Sequence, residues 1–129
     1  MKRFVRGNGS STTISRIGFY TALAGLLSSD IEDYPKIEEV LSLMKKEFKE
    51  SETEKGHLDS FIGVALVCGA IIRSEKGLGK ASIEEITEII TSLTSCFTKP
   101  SVSPIAYNFL AELVTKVLLL FLFPNFLIH

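Results

Sequence analysis

Hydrophobic residues recur along most of this chain at intervals of three and four, the period of an α-helix, and strand-like alternation is nearly absent. The pattern predicts an all-α protein of about five helices. The first is predicted from Thr13 to Ser28, after a glycine- and serine-rich turn that offers capping groups. Its predicted apolar face consists of Ile14, Ile17, Leu23, Leu26 and Leu27, with Gly18 and Ala22 as small contacts.

A second helix is predicted after Pro35, a residue suited to a first helical turn. The charged segment from Lys45 to Lys55 is predicted to be the exposed end of this helix and a flexible connection. The predicted apolar stripe consists of Ile37, Val40, Leu41, Met44 and Phe48.

The third helix, from about His57 to Ser74, carries no charge between Phe61 and Ile72. A helix that is apolar on all sides is buried on more than one side, so this one is predicted to be the centre of the domain. Those twelve uncharged residues are too few to span a bilayer. The small residues Gly63, Gly69 and Ala70 are expected to let neighbouring helices approach closely.

Two further helices are predicted after a loop from Glu75 to Ala81. A capping box of Ser82 and Glu85 opens the fourth, and Ser103 and Pro104 are predicted as the cap and first residue of the fifth. The fourth is striped by Ile86, Ile89, Ile90, Leu93 and Phe97, and the fifth by Tyr107, Leu110, Ala111 and Val114. Helices of about 15 to 18 residues joined by short turns predict a HEAT/armadillo-like α-solenoid fragment.

The end of the chain is strongly apolar, with an unbroken apolar run over residues 117–123 and three more apolar residues from Phe126 to Ile128. It is interpreted as a tail anchor, a buried terminal helix or the artificial end of a truncated product. A tail anchor needs about 20 apolar residues, and Glu112 and Lys116 interrupt such a stretch. The truncated or atypical end is favoured, which divides the chain into a helical-repeat domain over residues 1–117 and an apolar tail over residues 118–129.

The net charge of −1 argues against a uniformly basic nucleic-acid binder, but the charge is unevenly distributed. Residues 1–29 contain Lys2, Arg3, Arg6 and Arg16 and no acid, a net +4. Residues 30–59 contain ten acids and five lysines, a net −5. We call the four cations of residues 1–29 the basic head. It is the best candidate for a binding site, because guanidinium groups beside a helix start can hold a phosphate or an acidic partner segment. Pairing of these cations with acids on neighbouring helices is the competing interpretation.

Cysteine usage and the amino-terminal residues bear on the compartment. Cys68 and Cys96 lie on apolar helical stripes and are predicted to be reduced thiols of the core. The residues after Met1 lack the apolar region of a secretory signal. An intracellular location is expected, and the N-glycosylation sequon that starts at Asn8 is then not expected to be glycosylated.

No pattern typical of catalysis stands out. The segment from Gly77 to Ser82 is superficially similar to a phosphate loop, but Ser74 and Ala81 replace residues that the motif requires. Neither histidine, His57 or His129, has a second ligand at metal-binding spacing. A carboxylate cluster is interpreted as a solvated turn without the frame that two metals need; it consists of Asp30, Glu32 and Asp33. A protein without catalytic residues, metal or cofactor is expected.

The basic head and the first helix together resemble the amino-terminal signature of the Myb-binding protein 1A / DNA polymerase phi family, "RLVRGL-SS" followed by "AR-GF---L". The matching residues here are Lys2 to Gly7, Gly9 to Ser11, Arg16 to Phe19 and Ala22 to Leu23. Two later blocks, Phe61 to Gly63 and Ala70 to Ser74, look like the family's next helix. The likeness covers residues 2–117. Asn8, Ser15 and Val64 depart from the pattern, as does the apolar tail, and family members are several times longer.

The resemblance implies a non-catalytic nuclear and nucleolar scaffold. Such a protein associates with DNA and transcription factors and supports ribosomal RNA gene transcription and ribosome biogenesis. The polymerase in the family's name is not carried over as an activity, since no residue here matches a catalytic one. The alternative is a small membrane-associated helical protein anchored by residues 109–128.

Overall fold

The protein is described by a computed structural model over residues 1–10, 12–29, 36–48 and 54–123. All regular structure in these ranges is helical, which confirms the predicted all-α class. The seven α-helices described are α1 (Lys2–Gly7), α2 (Thr13–Leu27), α3 (Ile37–Glu47), α4 (Glu54–Arg73), α5 (Glu75–Gly79), α6 (Ile83–Ser95) and α7 (Ser103–Leu122), with a single 3₁₀ turn at Cys96–Thr98.

Helix α4 occupies the centre of the fold, as its uncharged sequence predicted. It contacts each of the other helices described, and its second half, from Val67 to Ile72, is fully buried. Two glycines of α4 permit close packing, as expected: the Phe48 ring lies against Gly63 and the Phe109 ring against Gly69. Ala70, the third small residue of the prediction, is fully buried.

Helix α3 follows its sequence pattern closely, and α6 follows its pattern in part. Ile37, Val40, Leu41 and Met44 are buried, so the predicted stripe of α3 faces the core. The capping box of α6 forms as predicted: the Glu85 amide donates to Ser82 Oγ at 3.1 Å, and the Ser82 amide donates to Glu85 Oε1 at 2.9 Å. In the stripe of α6, Ile89 and Leu93 are buried, whereas Ile90 and Phe97 are partly exposed.

Two short helices lie where the sequence predicted none. Residues 2–7 form α1, because Val5 is buried against the other helices and Asn8 Nδ2 donates to the Phe4 carbonyl at 2.6 Å. The predicted loop from Glu75 to Ala81 begins instead as α5. Its N-cap is Ser74, a buried residue whose hydroxyl accepts from the Gly77 amide at 3.0 Å.

The predicted apolar face of α2 is wrong in its first half. Ile14 is 86% exposed and Ile17 is 58% exposed, and no atom lies close to the open side of Gly18. Leu23 and Leu27 are buried as expected. Apolar residues lie on several sides of α2, so periodicity alone did not identify the side that faces α4.

The predicted face of α7 is also wrong, and its start is shifted by one residue. Tyr107, Ala111 and Val114 point outward and Leu110 is half-buried. The residues that pack on the core are Ala106, Phe109 and Leu113. Val102 is the N-cap, so Ser103 is the first helical residue and not the cap.

The finer architecture stays a prediction. In a solenoid each repeat contacts only its neighbours, and one central helix that contacts all the others does not by itself display repeated units. The predicted boundary between residues 117 and 118 falls inside α7. Pro35 and the carboxylates Asp30, Glu32 and Asp33 lie outside the described residues.

Candidate functional site

The basic head lies on α1 and on the first turn of α2. Arg3 and Arg6 are three residues apart on α1, which places them on one face of the helix, and both are exposed. Within the described ranges neither guanidinium takes part in an ion pair. Lys2 lies to the side of them, with its Nζ 3.6 Å from Glu47 Oε1 at the end of α3.

Arg3 and Arg6 line an open cleft of about 580 Å³ between α1, the end of α3 and the first half of α4. We call it the basic cleft, and its lining residues are Arg3, Arg6, Gly7, Gly9, Ser10, Phe19, Glu47, Phe48, Asp59 and Ser60. The volume lies within the range of about 300 to 1,000 Å³ that is usual for small-molecule and cofactor sites.

Two phenylalanines form the apolar part of the basic cleft, and glycines make room for both rings. A Cβ on Gly7 would lie 2.5 Å from Phe19 Cδ1, closer than side-chain atoms pack. Phe48 lies between Gly9 and Gly63, where added Cβ atoms would lie 2.5 Å and 2.7 Å from its Cε1. The glycines of the sequence motif therefore allow these rings to lie directly on the backbone of α1 and α4.

Arg16 has a different place from the other three cations. Its Nη1 donates to the Ser10 carbonyl at 2.8 Å, and its Nη2 donates to Thr13 Oγ1 at 3.1 Å. The same guanidinium lies 4.0 Å from Asp59 Oδ1, and its side chain is largely covered. These contacts tie the first turn of α2 to Ser10 and to Asp59 of α4. Arg3 and Arg6 are then the cations of the cleft lining that have no ion pair among the described residues.

The side chains that line the basic cleft carry two positive and two negative charges. Its carboxylates, Glu47 and Asp59, have cationic neighbours in Lys2 and Arg16. The charges of Arg3 and Arg6 therefore remain for a ligand. Because two acidic groups also line the walls, an anionic ligand is favoured only where its charge lies beside α1.

The sequence indicated the cations of this site but not its other parts. Helix α1 was not predicted, and Phe19, Phe48, Glu47 and Asp59 come from three other helices. The available signal in the sequence was the presence of Gly7, Gly9 and Gly63, since glycines in helical surroundings often mark a close approach.

A smaller pocket of about 190 Å³ shares Phe48 and Ser60 with the basic cleft and is also lined by His57, Phe61, Val64 and Ser95. The His57 and Phe61 rings pack at 4.9 Å between centroids, and Lys99 Nζ lies 5.5 Å from the centroid of Phe61. This pocket is smaller than the usual ligand site.

The described residues include no group of three or more His, Cys, Asp or Glu side chains arranged to hold a metal ion. Cys68 and Cys96 are buried free thiols, as predicted. Burial raises the pKa of Cys96 to about 11 and raises the pKa of Cys68 further, so both are neutral thiols at physiological pH.

Among the described helices, one segment is long and apolar enough to cross a membrane by length and composition. It runs from Ser103 to Leu120, with 17% of the segment buried in the fold.

The described part of the chain is all-helical, and its cleft is lined by two arginines, two carboxylates and an aromatic floor formed by Phe19 and Phe48. No protein-family model, curated protein or solved structure matches this chain.

Proposed function

We propose that this chain is a non-catalytic interaction module that binds an acidic segment of a partner protein in the basic cleft. One observation carries the proposal: Arg3 and Arg6 extend from one face of α1, exposed and without an ion-pair partner among the described residues, beside an aromatic floor. Guanidinium groups bind carboxylates through paired N–H donors, and such charge-assisted bonds are the stronger ones.

The shape of the basic cleft favours a peptide in which acidic and apolar residues alternate. Phe19 and Phe48 offer an apolar surface to one side chain of such a peptide, while Arg3 and Arg6 meet its carboxylates. Disordered segments of this composition are typical of transcriptional activation domains. A continuous polyanion fits less well, because Glu47 and Asp59 would face its charges on the opposite wall.

The cellular setting that we propose follows from the family resemblance. It is a nuclear and nucleolar scaffold, part of a HEAT/armadillo-like solenoid, whose partners are transcription factors or other nuclear proteins. Its role is in transcription regulation, ribosomal RNA gene expression and ribosome biogenesis. DNA is a second partner in this proposal, bound through the same cations.

A binding titration tests the cleft. A fluorescein-labelled peptide of alternating Asp and Leu is expected to bind the chain. Arg3→Ala/Arg6→Ala is expected to weaken binding by at least about 100-fold, since two charged contacts of about 1.5 to 3 kcal/mol each sum to about 3 to 6 kcal/mol. Lys80→Ala is the matched control, because Lys80 is an exposed cation at the end of α5, away from the cleft. Equal affinity of the double variant and the control would contradict the proposal.

The same variants separate peptide binding from DNA binding. Duplex DNA held by Arg3 and Arg6 is expected to lose affinity with salt at a log–log slope of about −0.9 per phosphate contacted. Tight DNA binding with a slope unchanged in Arg3→Ala/Arg6→Ala would show that the DNA is bound elsewhere on the chain.

Imaging of a tagged chain in cells tests the nucleolar location, and exclusion from the nucleus contradicts it.

A further inference from the structure

The outward side of α7 is apolar along most of its length. Its most exposed large residues are Tyr107 at 65%, Leu122 at 62%, Leu118 at 53% and Val114 at 49%. Ile105, Val117 and Phe123 add further exposed apolar area at the edges and at the end. A helix of a folded domain ordinarily turns its polar side outward, but this apolar side of α7 is left uncovered by the other described helices.

Both charged residues of α7 point away from this surface. Glu112 accepts two hydrogen bonds from Arg73, each at 3.3 Å, and Lys116 Nζ donates to the Ile72 carbonyl at 2.8 Å. The hydroxyl of Thr115, which lies on the outward side, donates to the Ala111 carbonyl at 2.9 Å. The outward side of α7 therefore presents no charge.

The exposed residues are spaced for packing against another helix. We call Tyr107, Ala111, Val114, Leu118 and Leu122 the outer stripe; their spacings are four, three, four and four. The first three steps alternate between four and three, which places Tyr107, Ala111, Val114 and Leu118 along one side of the helix as in the seam of a coiled coil, and the last step of four places Leu122 beside that seam. The outer stripe thus has the pattern of a helix-packing surface.

The exposed area is large enough for a dimer. With roughly 150 to 200 Å² for each large apolar residue, the exposed part of the outward side is on the order of 500 to 600 Å², the upper end for a monomer. Two copies that cover each other would bury on the order of 1,000 to 1,200 Å², the lower limit for a specific interface.

We propose that α7 pairs with α7 of a second copy of this chain, in antiparallel orientation, through the outer stripe. A two-fold axis beside Val114 places the small Ala111 opposite the larger Leu118 of the other copy, and Tyr107 opposite Leu122. The Ala111 layer then pairs a small residue with a large one, as close packing favours, and the Tyr107 layer pairs two large residues at each end of the interface. An uncharged stripe is self-complementary, which a two-fold interface demands.

A bilayer is the less favoured occupant of the outer stripe. Helices that lie on membranes usually border their apolar face with Lys and Arg, which attract anionic lipids. On α7 the one basic residue, Lys116, is engaged with the Ile72 carbonyl on the inward side. A spanning α7 would also have to leave the fold, since Phe109 and Leu113 are buried in the core.

Analytical ultracentrifugation of the full chain tests the pairing, at concentrations from about 1 to 200 µM, because interfaces of this size range widely in affinity. A reversible dimer is expected. Leu118→Glu is expected to raise the dimer Kd by at least about 100-fold, since the carboxylate would be buried without a partner. Ile14→Glu is the matched control: Ile14 is more exposed than Leu118 but lies on α2, so the dimer is expected to persist.

Two further variants test the orientation. Ala111→Lys faces position 118 of the other copy only in the antiparallel dimer, so a mixture of Leu118→Glu and Ala111→Lys chains is expected to form heterodimers. Under oxidation Val114→Cys is expected to form a disulfide with the same residue of the second chain, and Tyr107→Cys is not. Cys68 and Cys96 do not interfere, because both are buried. Circular dichroism checks that each variant is folded.

Three results would overturn the proposal. A chain that stays monomeric over the whole concentration range would show that a second copy does not pair with the outer stripe. Cross-linking of Tyr107→Cys to itself with equal efficiency excludes the antiparallel arrangement. Flotation of a monomeric chain with phosphatidylcholine and phosphatidylserine vesicles, abolished by Leu118→Glu, would assign the outer stripe to a bilayer.

Discussion

Replacing Gly69 by alanine sets two opposing effects against each other at the contact between α4 and α7. Alanine in a helix interior is favoured over glycine by about 1 kcal/mol. At this position, however, the new methyl group would lie 2.6 Å from Phe109 Cε1, and closer still to Cζ and Cε2. The ring is confined, because Tyr20 packs 6.2 Å from its centroid and the Arg73 guanidinium lies 5.0 Å from it.

The expected magnitude follows from this geometry. Overpacking a filled core costs typically about 1 to 3 kcal/mol, which exceeds the gain in helix propensity. Gly69→Ala is therefore expected to lower the free energy of unfolding by up to about 2 kcal/mol. Gly25→Ala is the matched control: Gly25 is also inside a helix, but no atom lies within 4 Å of its open side. That variant is expected to be about 0.5 to 1 kcal/mol more stable.

Urea unfolding followed by circular dichroism measures both values, and a double-mutant cycle identifies the cause. Phe109→Leu removes the ring atoms that meet the new methyl group, so Gly69→Ala is expected to be less destabilising in that background. If Gly69→Ala stabilises the chain as much as Gly25→Ala does, the close packing of α4 on Phe109 is refuted.

Three further predictions concern the caps and the thiols. Ser82→Ala removes one hydrogen bond of the capping box and is expected to lower stability by about 1 kcal/mol in urea unfolding, whereas Ser101→Ala in an exposed turn is expected to change little. Cys68 and Cys96 are expected to resist iodoacetamide at pH 8 in the folded chain and to react in urea, which mass spectrometry reads out. Because the folded pKa of Cys96 is raised from 9.0 to about 11, the unfolded state releases its proton first as pH rises. Stability is therefore expected to be unaffected below about pH 8 and to fall between pH 9 and 11, and a flat urea midpoint over that interval in this chain would contradict the burial of the thiols.

The elements that the sequence predicted well share a strong contrast between their sides. Helix α3 has charged residues opposite Val40 and Met44, so one orientation buries most of its apolar stripe. For α4 the buried side did not have to be predicted, because other helices surround its uncharged stretch. The capping box of Ser82 and Glu85 is a local interaction and depends little on the rest of the fold.

The elements that the sequence predicted wrongly lack a strong contrast between their sides. Helices α2 and α7 carry apolar residues on several sides, so tertiary contacts and not periodicity select Leu23 and Phe109 for burial and leave Ile14 and Tyr107 outside. Helix α1 is six residues long, which is too short for a clear period, and it forms because Val5 is buried by other helices.

The candidate site was predicted only in part for a related reason. Cations near the start of a chain are visible in the sequence, but the residues that surround them come from distant segments. Phe48 and Asp59 reach the basic cleft only because α3 and α4 pack beside α1. The distinction between Arg16, which is engaged with Ser10 and Thr13, and Arg3, which remains open, is a property of the folded turn.

The most direct test of the central claim, that the basic cleft is the binding surface, is a titration of the ¹⁵N-labelled chain with the Asp/Leu peptide, followed by amide chemical shifts. Saturable changes are expected in α1, at Gly9 and Ser10, and at Phe48 and Ser60, and Arg3→Ala/Arg6→Ala is expected to abolish them. Saturable changes confined to the outer stripe of α7, or no changes at any peptide concentration, would contradict the account.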